Sequence, residues 1–220
     1  MGAEPDHGEW WTVTFATLWT RVFYRITIIV KMCIMTDRDQ KILDAAIAVF
    51  SRYGVRKATM GDIAAQAGIS RPTLYARYAN KEEIMAAGMQ LISDRIVGEV
   101  VEAWKSAATI GERIDIFLDC AIVRFFEQIK QMPDSSDLMT GSGDGAAPHL
   151  KAEQGKIDLL TELFAARKDA LAAHGSSPAE LADFFYASAA SFKFTARDGK
   201  HLESLLATLK RSTMVMLGED

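Results

Sequence analysis

The chain has 220 residues, of which 49% are hydrophobic and 25% charged, and this composition with only five prolines excludes a disordered chain. Cys33 and Cys120 are isolated and have no histidine at ligand spacing, which excludes a disulfide framework and a zinc site and fits a reducing cytoplasm. The formal net charge of −4 is divided unevenly, because residues 36–82 carry +3 and residues 83–220 carry −7. A basic excess this small does not establish a nucleic-acid partner. Whether the chain binds nucleic acid has to be judged from the identity of its residues.

Residues 1–35 differ in composition from the rest of the chain. They contain WWTVTFATLWTRVFYRITIIVKMCIM, which is rich in Trp, Thr and β-branched residues, whereas the sequence after Thr36 is rich in Ala and other helix formers. The uncharged run from Trp10 to Thr20 has eleven residues, and a bilayer span needs about 20. Two interpretations remain, a membrane-surface or partner-binding extension and a translation start assigned too early. We favour the second, with Met35 as the physiological first residue, and predict no membrane partner.

The first predicted helix begins after Thr36, which can cap it. It ends in RYGVRKAT, where Gly54 is available for a left-handed cap. Its apolar residues recur at steps of three and four, as expected of a helix with one buried face. They are Ile42, Ala45, Ala46, Val49 and Phe50.

Two short helices are predicted next. Thr59, with Asp62 three positions later, can cap a helix that runs to Gln66. A tight turn at Gly68 separates it from a helix capped by Ser70, in which a proline occupies the first turn. Two helices of roughly eight residues joined by a short glycine-containing turn form a helix-turn-helix, whose second helix enters the DNA major groove.

Longer helices are predicted in the rest of the chain, at about 81–105, 114–130, 149–173, 178–196 and 199–217. The clearest loop is QMPDSSDLMTGSGDGAAP. The helix 114–130 is apolar nearly all round, as in the middle of a bundle. The face expected to be buried on the helix 81–105 consists of Met85, Met89, Ile92, Ile96, Val100 and Trp104. No alternating strand pattern is evident, so the predicted fold class is all-α.

The second helix of the helix-turn-helix carries side chains suited to DNA. Arg71 can bond guanine through two donors, and the methyl group of Thr73 can meet a thymine methyl. Tyr75, Tyr78 and Lys81 are placed for flanking phosphates, which fix position rather than sequence. Each residue alone also fits a solvated surface or packing under the turn, but together they favour DNA. The predicted DNA-binding residues are Thr59, Ser70, Arg71, Pro72, Thr73, Tyr75, Tyr78 and Lys81.

Residues 38–84 contain a series of short sequence elements at a characteristic spacing. They are Phe50, Tyr53-Gly54, Thr59, Ile63-Ala64, Ala67-Gly68, Ser70, Leu74-Tyr75, Tyr78 and Lys81-Glu82. This segment, about a fifth of the chain, resembles the amino-terminal domain of the tetracycline-repressor (TetR) family. Tyr78 stands where phenylalanine is common, and Arg77 where many members carry histidine or another aromatic residue. The operator sequence therefore cannot be taken from a relative.

The resemblance implies an atypical extension at 1–35, a three-helix DNA-binding domain at 36–82, and a helical effector-binding and dimerisation domain at 83–220. On the last two helices, the residues expected at a two-fold interface are Phe184, Phe185, Ser188, Phe192, Leu202, Leu205 and Leu209. Packing within one chain competes for the same faces. Because Met and Phe suit an adaptable apolar cavity, the residues proposed for an effector pocket are Met89, Ile92, Phe117, Cys120 and Phe126. A filled core is the competing interpretation.

We therefore expect a dimeric transcriptional repressor, released from a palindromic operator by a small-molecule effector of unknown identity. The alternative is an architectural or cell-cycle DNA-binding protein of the same fold, controlled by a protein partner. An enzyme is not expected, and no catalytic residue, cofactor or metal site is predicted, since no nucleophile with a base or metal cluster stands out. GSGDG at 141–145 lacks the residues of a phosphate or calcium loop, and His149, His174 and His201 are interpreted as surface residues.

Overall fold

The computed structural model describes residues 36–131 and 146–219. The predictions for the extension, for Met35 and for the GSGDG segment lie outside the described residues, as does the side chain of His149. The chain divides into two compact units, Met1–Lys41 and Ile42–Asp220. Of the first unit, the described part is Thr36 with the start of the first helix.

Every regular element in the described ranges is helical, which confirms the all-α prediction. In chain order the α-helices are α1 (Asp37–Tyr53), α2 (Met60–Ala67), α3 (Arg71–Tyr75), α4 (Lys81–Ala103), α5 (Ile110–Leu118), α6 (Arg124–Gln131), α7 (Ala146–Ala165), α8 (Lys168–Ala173), α9 (Pro178–Thr195) and α10 (Gly199–Met216). A 3₁₀ turn, Trp104–Ser106, follows α4, and a π-helical segment, Asp119–Val123, joins α5 to α6. No described helix has the length and apolar character needed to cross a bilayer.

The ends of α1 lie where the sequence places them. The backbone N–H of Asp39 donates to Thr36 Oγ1 at 3.2 Å, so Thr36 caps the helix. Gly54 has a φ of 77°, the left-handed conformation expected of a glycine that follows a helix. The predicted apolar stripe is buried except for Phe50, which is half-buried, and Leu43 is an additional core residue.

The buried face of α4 differs from the prediction. Five of the six predicted residues are half-buried and Val100 alone of them is buried. The buried residues are Ile84, Gly88, Leu91, Ser93, Val97 and Val100. The reason is that the helix contacts two neighbours. A Cβ at Gly88 would be 3.6 Å from Ile47 Cγ1 on α1, and Ser93 Oγ donates to the carbonyl of Ala152 on α7.

Two predicted helices are interrupted. The helix expected at 114–130 begins earlier, at a capping box formed by Thr109 and Glu112, and contains the π-helical segment. The helix expected at 149–173 is divided into α7 and α8. α7 packs against both α4 and α9, and α9 also packs against α10. At the centre of this body, the ring centroids of Phe117 and Phe185 are 6.4 Å apart. The ring centroids of Phe185 and Phe164 are 5.9 Å apart.

Candidate nucleic-acid interface

Local hydrogen bonds hold the α2–α3 pair in shape. Thr59 and Asp62 form a reciprocal capping box, in which Asp62 N–H donates to Thr59 Oγ1 at 3.2 Å and Thr59 N–H donates to Asp62 Oδ2 at 2.9 Å. Gly68 ends α2 with a φ of 67°, a conformation that glycine adopts without a Cβ penalty. Ser70 caps α3 by accepting a hydrogen bond from Thr73 N–H at 3.3 Å. These caps are the ones predicted from the sequence.

The second helix of the pair is shorter than predicted, because α3 has five residues. Arg77 N–H and Tyr78 N–H both donate to the carbonyl of Leu74 at 3.0 Å, so the chain continues as a turn rather than a regular helix. Asn80 then caps α4 by accepting a hydrogen bond from Glu83 N–H at 2.8 Å. The side chain of Leu74 is fully buried and fixes α3 against α2.

The predicted DNA-binding residues lie together on this pair and on the start of α4. Exposed residues are Thr59, Ser70, Arg71, Pro72 and Tyr75, whereas Thr73, Tyr78 and Lys81 are half-buried. Tyr75 is 52% exposed, which is unusual for so large a ring. The surface therefore offers an arginine, a tyrosine and short side chains around one helix end.

Arg71 rests on the neighbouring helix. A Cβ at Gly61 would lie 2.9 Å from Arg71 Cζ, so the guanidinium covers the backbone of α2 at its only side-chain-free position. Hydrogen bonds from the side chain and backbone of Thr59 lower the pKa of Asp62, and the charge of Arg71 lowers it further. Arg71 thus occupies an electrostatically favourable position beside an ionised carboxylate.

Thr59 has its hydroxyl occupied. Thr59 Oγ1 donates to Asp62 Oδ2 at 2.6 Å while it accepts from Asp62 N–H. The Asp62 carboxylate also places a negative charge at this helix end. The phosphate contact predicted for Thr59 would have to displace that arrangement, so the geometry favours capping as its main role.

Lys81 has a structural role that the sequence did not indicate. Its Nζ donates to the carbonyl of Val55 at 2.7 Å and to that of Ala58 at 3.3 Å, which joins the start of α4 to the connection between α1 and α2. These acceptors are neutral, so the ammonium keeps its full positive charge. A carbonyl-bound lysine at this position can still attract a phosphate.

The residues proposed for an effector pocket fall into two groups. Phe117, Cys120 and Phe126 are buried, and Met89 and Ile92 on α4 are half-buried. Burial raises the pKa of the Cys120 thiol, which favours its protonated form. Cys120 is therefore a buried, neutral side chain in this structure.

The residues proposed for a dimer interface are also divided. Phe185, Leu202 and Leu209 are buried within the single chain, which is the competing use of these faces. Phe184 is 60% exposed, and Ser188, Phe192 and Leu205 are half-buried. Val215 on α10, which is not among the predicted interface residues, is 67% exposed.

Two buried lysines in the body were also missed. Lys156 on α7 and Lys193 on α9 are 4% and 6% exposed. A signal for Lys193 exists in the sequence, since it is the one charged residue in FFYASAASFKF, residues 184–194. Within the described residues, no group of three or more His, Cys, Asp or Glu side chains could hold a metal ion.

Comparison with known proteins identifies the amino-terminal segment. Residues 42–88 match the family model described as "Bacterial regulatory proteins, tetR family". Residues 42–88 are therefore a segment of the TetR-family type. The matched range contains α2 and α3 entire, together with most of α1 and the start of α4. The predicted resemblance is thereby confirmed.

Several curated HTH-type transcriptional regulators are similar to this chain. The nicotine-responsive transcriptional repressor HdnoR of Paenarthrobacter nicotinovorans is 35% identical over 85 residues, 37% of this chain and 44% of the relative. The transcriptional activator FasR of Mycolicibacterium smegmatis is 33% identical over 43% of this chain and 41% of the relative. The chain thus spans less than half the length of these two relatives. The repressor ComR of Escherichia coli is 26% identical over a region that covers 77% of this chain and 84% of ComR.

Solved structures share the fold of this chain. FadR of Bacillus subtilis, in complex with stearoyl-CoA, is 18% identical over 81% of this chain and 96% of its own, with a TM-score of 0.55. A TetR-family regulator from Rhodococcus sp. is 16% identical over 83% of this chain and 100% of its own, with a TM-score of 0.61. At these identities the likeness shows the fold alone.

Proposed function

We propose that this protein is a sequence-specific DNA-binding transcriptional regulator, which acts as a dimeric repressor and is released from a palindromic operator by a small-molecule effector. The observation that supports it best is the capped α2–α3 pair, which presents Arg71 and Tyr75 on an exposed surface while Leu74 anchors the helix behind them. Residues 36–82 would form the DNA-binding domain and residues 83–220 the effector-binding and dimerisation domain.

On DNA, we assign base recognition to Arg71 and Thr73. Arg71 would leave Gly61 by rotation of its own side chain and donate two hydrogen bonds to a guanine. The Thr73 hydroxyl lies 2.8 Å from Ser70 Oγ in the cap, which leaves the methyl group for a thymine. Tyr75, Tyr78 and Lys81 would contact phosphates, and these contacts set the register of the helix.

A second copy of the chain would pack on the outer faces of α9 and α10. The support is the exposure of Phe184 and Val215, because large apolar side chains on a surface otherwise rich in charge mark contact sites. Ser188, Phe192 and Leu205 are half-buried and would complete the contact. A two-fold dimer would set two α3 helices about 34–36 Å apart, on successive major grooves of a palindrome.

The effector would act through α4. This helix of 23 residues buries Ile84 and Gly88 in its first half, next to the DNA-binding helices, and Val97 and Val100 in its second half, within the body. An ion pair between Arg95 and Asp44, at 2.7 Å, joins it to α1. A ligand among Met89, Ile92, Phe117, Cys120 and Phe126 would shift α4 and thereby α3, with a coupling of about 1–3 kcal/mol.

Selection from a random double-stranded DNA library tests this function. The full chain is expected to enrich a single motif with two-fold symmetry and half-sites about one helical turn apart. Enrichment of no motif would contradict a sequence-specific regulator and support the architectural alternative. Because the relatives include repressors and an activator, transcription from a promoter that carries the motif, with and without the protein, then gives the direction of regulation.

A further inference from the structure

At one place in the helical body, two buried lysines lie near a single carboxylate. Lys156 and Lys193 are both almost fully buried, and the nearby carboxylate is that of Glu153, whose Oε2 lies 2.7 Å from Lys156 Nζ. Lys156 Nζ also lies 3.0 Å from the hydroxyl of Tyr186. Lys156 is thus paired and hydrogen-bonded, as buried charges normally are. Lys193 also feels the charge of Glu153, but among the described residues it has no ion pair or hydrogen bond of its own.

The ammonium of Lys193 is surrounded by rings. It lies 4.5 Å from the centroid of Phe125 and 5.9 Å from that of Phe194, and among the described residues it donates no hydrogen bond. Burial lowers its pKa to about 8, against the opposing effect of Glu153, and the charge of Lys156 lowers it further. Near neutral pH, Lys193 is therefore a largely buried cation for which the described residues provide no hydrogen-bond acceptor.

The neighbouring residues connect this cation to the proposed effector pocket. Phe125, under Lys193, is followed in α6 by Phe126, and Tyr186, bonded to Lys156, lies 6.3 Å from Phe117. Both Phe126 and Phe117 are residues proposed to line the pocket. The two lysines therefore lie beside aromatic side chains that are next to, or in ring contact with, residues proposed for the pocket.

We propose that the body binds an organic anion, whose acidic group pairs with the Lys193 ammonium and whose apolar part packs on the aromatic core beside Phe117 and Phe126. The proposal rests on the proposed function in one respect, that this anion is the effector. A carboxylate or sulfonate supplies the acceptors that Lys193 lacks, and the water-poor surroundings strengthen the ion pair. A neutral ligand of the same shape would leave the ammonium uncompensated.

Two fluorescent probes that share an aromatic body test this proposal. 8-Anilinonaphthalene-1-sulfonate carries a sulfonate and N-phenyl-1-naphthylamine is neutral. Both are titrated into the full chain and into the variants Lys193→Met and Lys193→Arg. The control is Lys200→Met, which removes a charge from an exposed site on α10. Near-ultraviolet circular dichroism verifies that each variant keeps its packed core, since the sulfonate probe also binds loosened proteins.

The wild type is expected to bind the sulfonate probe saturably. Lys193→Met should weaken that binding by about tenfold or more while it leaves the affinity for the neutral probe within about twofold. Lys193→Arg and Lys200→Met should resemble the wild type. The proposal is overturned if the wild type shows no saturable binding of the sulfonate probe, if Lys193→Met binds it as well as the wild type, or if both probes are lost together.

A second experiment tests the anion site and the proposed function independently of each other. The sulfonate probe is added to the complex of the chain with its selected DNA motif, and release is expected for the wild type and not for Lys193→Met. Binding that depends on Lys193 without release would keep the anion site and remove its role as an effector site. Failure of every variant to bind DNA would remove the proposed function and leave the anion site in place.

Discussion

The guanidinium of Arg71 lies on Gly61, so close that a Cβ there would come within 2.9 Å of Arg71 Cζ. Arg71 is the residue assigned to base recognition, and Gly61 belongs to the preceding helix of the pair. In the free protein the recognition side chain is therefore held against α2 and not extended towards a groove. The conformation of Arg71 in the free protein therefore differs from the extended conformation that we propose for it on DNA.

Replacement of Gly61 by alanine should move Arg71 without harm to the fold. Gly61 is within α2, where alanine is favoured over glycine by about 0.5–1 kcal/mol, and the atoms in the way belong to a flexible side chain. The free energy of urea unfolding should rise by about that amount, and operator affinity should stay within about threefold. A loss as large as that of Arg71→Ala would mean that Arg71 stays on Gly61 in the complex.

Arg71→Ala should weaken operator binding by about 1–3 kcal/mol and relax one position of the motif. The measurement is fluorescence anisotropy with the selected motif and with its single-base variants. Lys200→Ala, distant in sequence and exposed on α10, serves as the charge-matched control. Unchanged discrimination among the variants would show that another residue recognises the base.

Lys81→Ala should have two separable effects. Loss of the hydrogen bonds to the carbonyls of Val55 and Ala58 should lower the free energy of unfolding by about 1 kcal/mol. Loss of the charge should weaken selected and scrambled DNA alike and reduce the slope of log affinity against log salt by about one. A stability change with an unaltered salt slope would assign Lys81 to the fold alone.

Lys193→Met should stabilise the protein at neutral pH. Because the folded pKa of Lys193 is about 8 and its ordinary pKa is 10.5, the unfolded chain binds more protons between these values, and stability rises with pH in that window. Below pH 8 the cost of the buried charge is largest, about 3 kcal/mol. The groups that face Lys193 are Glu153 and Lys156, both on α7.

The stability gain of Lys193→Met should therefore be largest at pH 7 and shrink as the pH rises from about 8 towards 10.5. Urea unfolding at several pH values measures it, with Lys200→Met as the control. A gain that does not vary over this range, or a loss at pH 7, would show that Lys193 is already compensated in the folded protein.

Phe184→Glu should convert a dimer into a folded monomer. Phe184 is 60% exposed, so the substitution leaves the core of each chain intact, while two carboxylates at a two-fold contact would face an apolar surface. Light scattering after gel filtration measures the mass, and operator affinity should fall with it. Ala172→Glu on α8 is the matched control, because it adds the same charge at another exposed site. A Phe184→Glu chain of unchanged mass would place the interface elsewhere.

Local signals allowed much of the fold to be predicted. The caps at Thr59 and Ser70 depend on residues three positions away, so the sequence contains all the information that each one needs. The buried face of α4 was not predictable in the same way, because the helix packs against both α1 and α7. A single periodic stripe assumes one neighbour along the whole helix.

For the candidate site, the sequence predicted which residues are exposed better than it predicted the contacts that their side chains make. Arg71 and Tyr75 are exposed on α3 as expected, since a surface position on a short capped helix is a local property. The carbonyl contacts of Lys81 join residues 23 to 26 positions apart, and no periodic pattern signals them. The burial of Lys193 likewise depends on α6, which packs from elsewhere in the chain.

The most direct measurement is fluorescence anisotropy of the full chain with the selected palindrome, beside a scrambled duplex, at two salt concentrations. We expect tight binding to the palindrome that persists at the higher salt concentration, while binding to the scrambled duplex falls steeply, as purely electrostatic contacts do. Equal and strongly salt-sensitive binding to both duplexes would contradict a sequence-specific regulator.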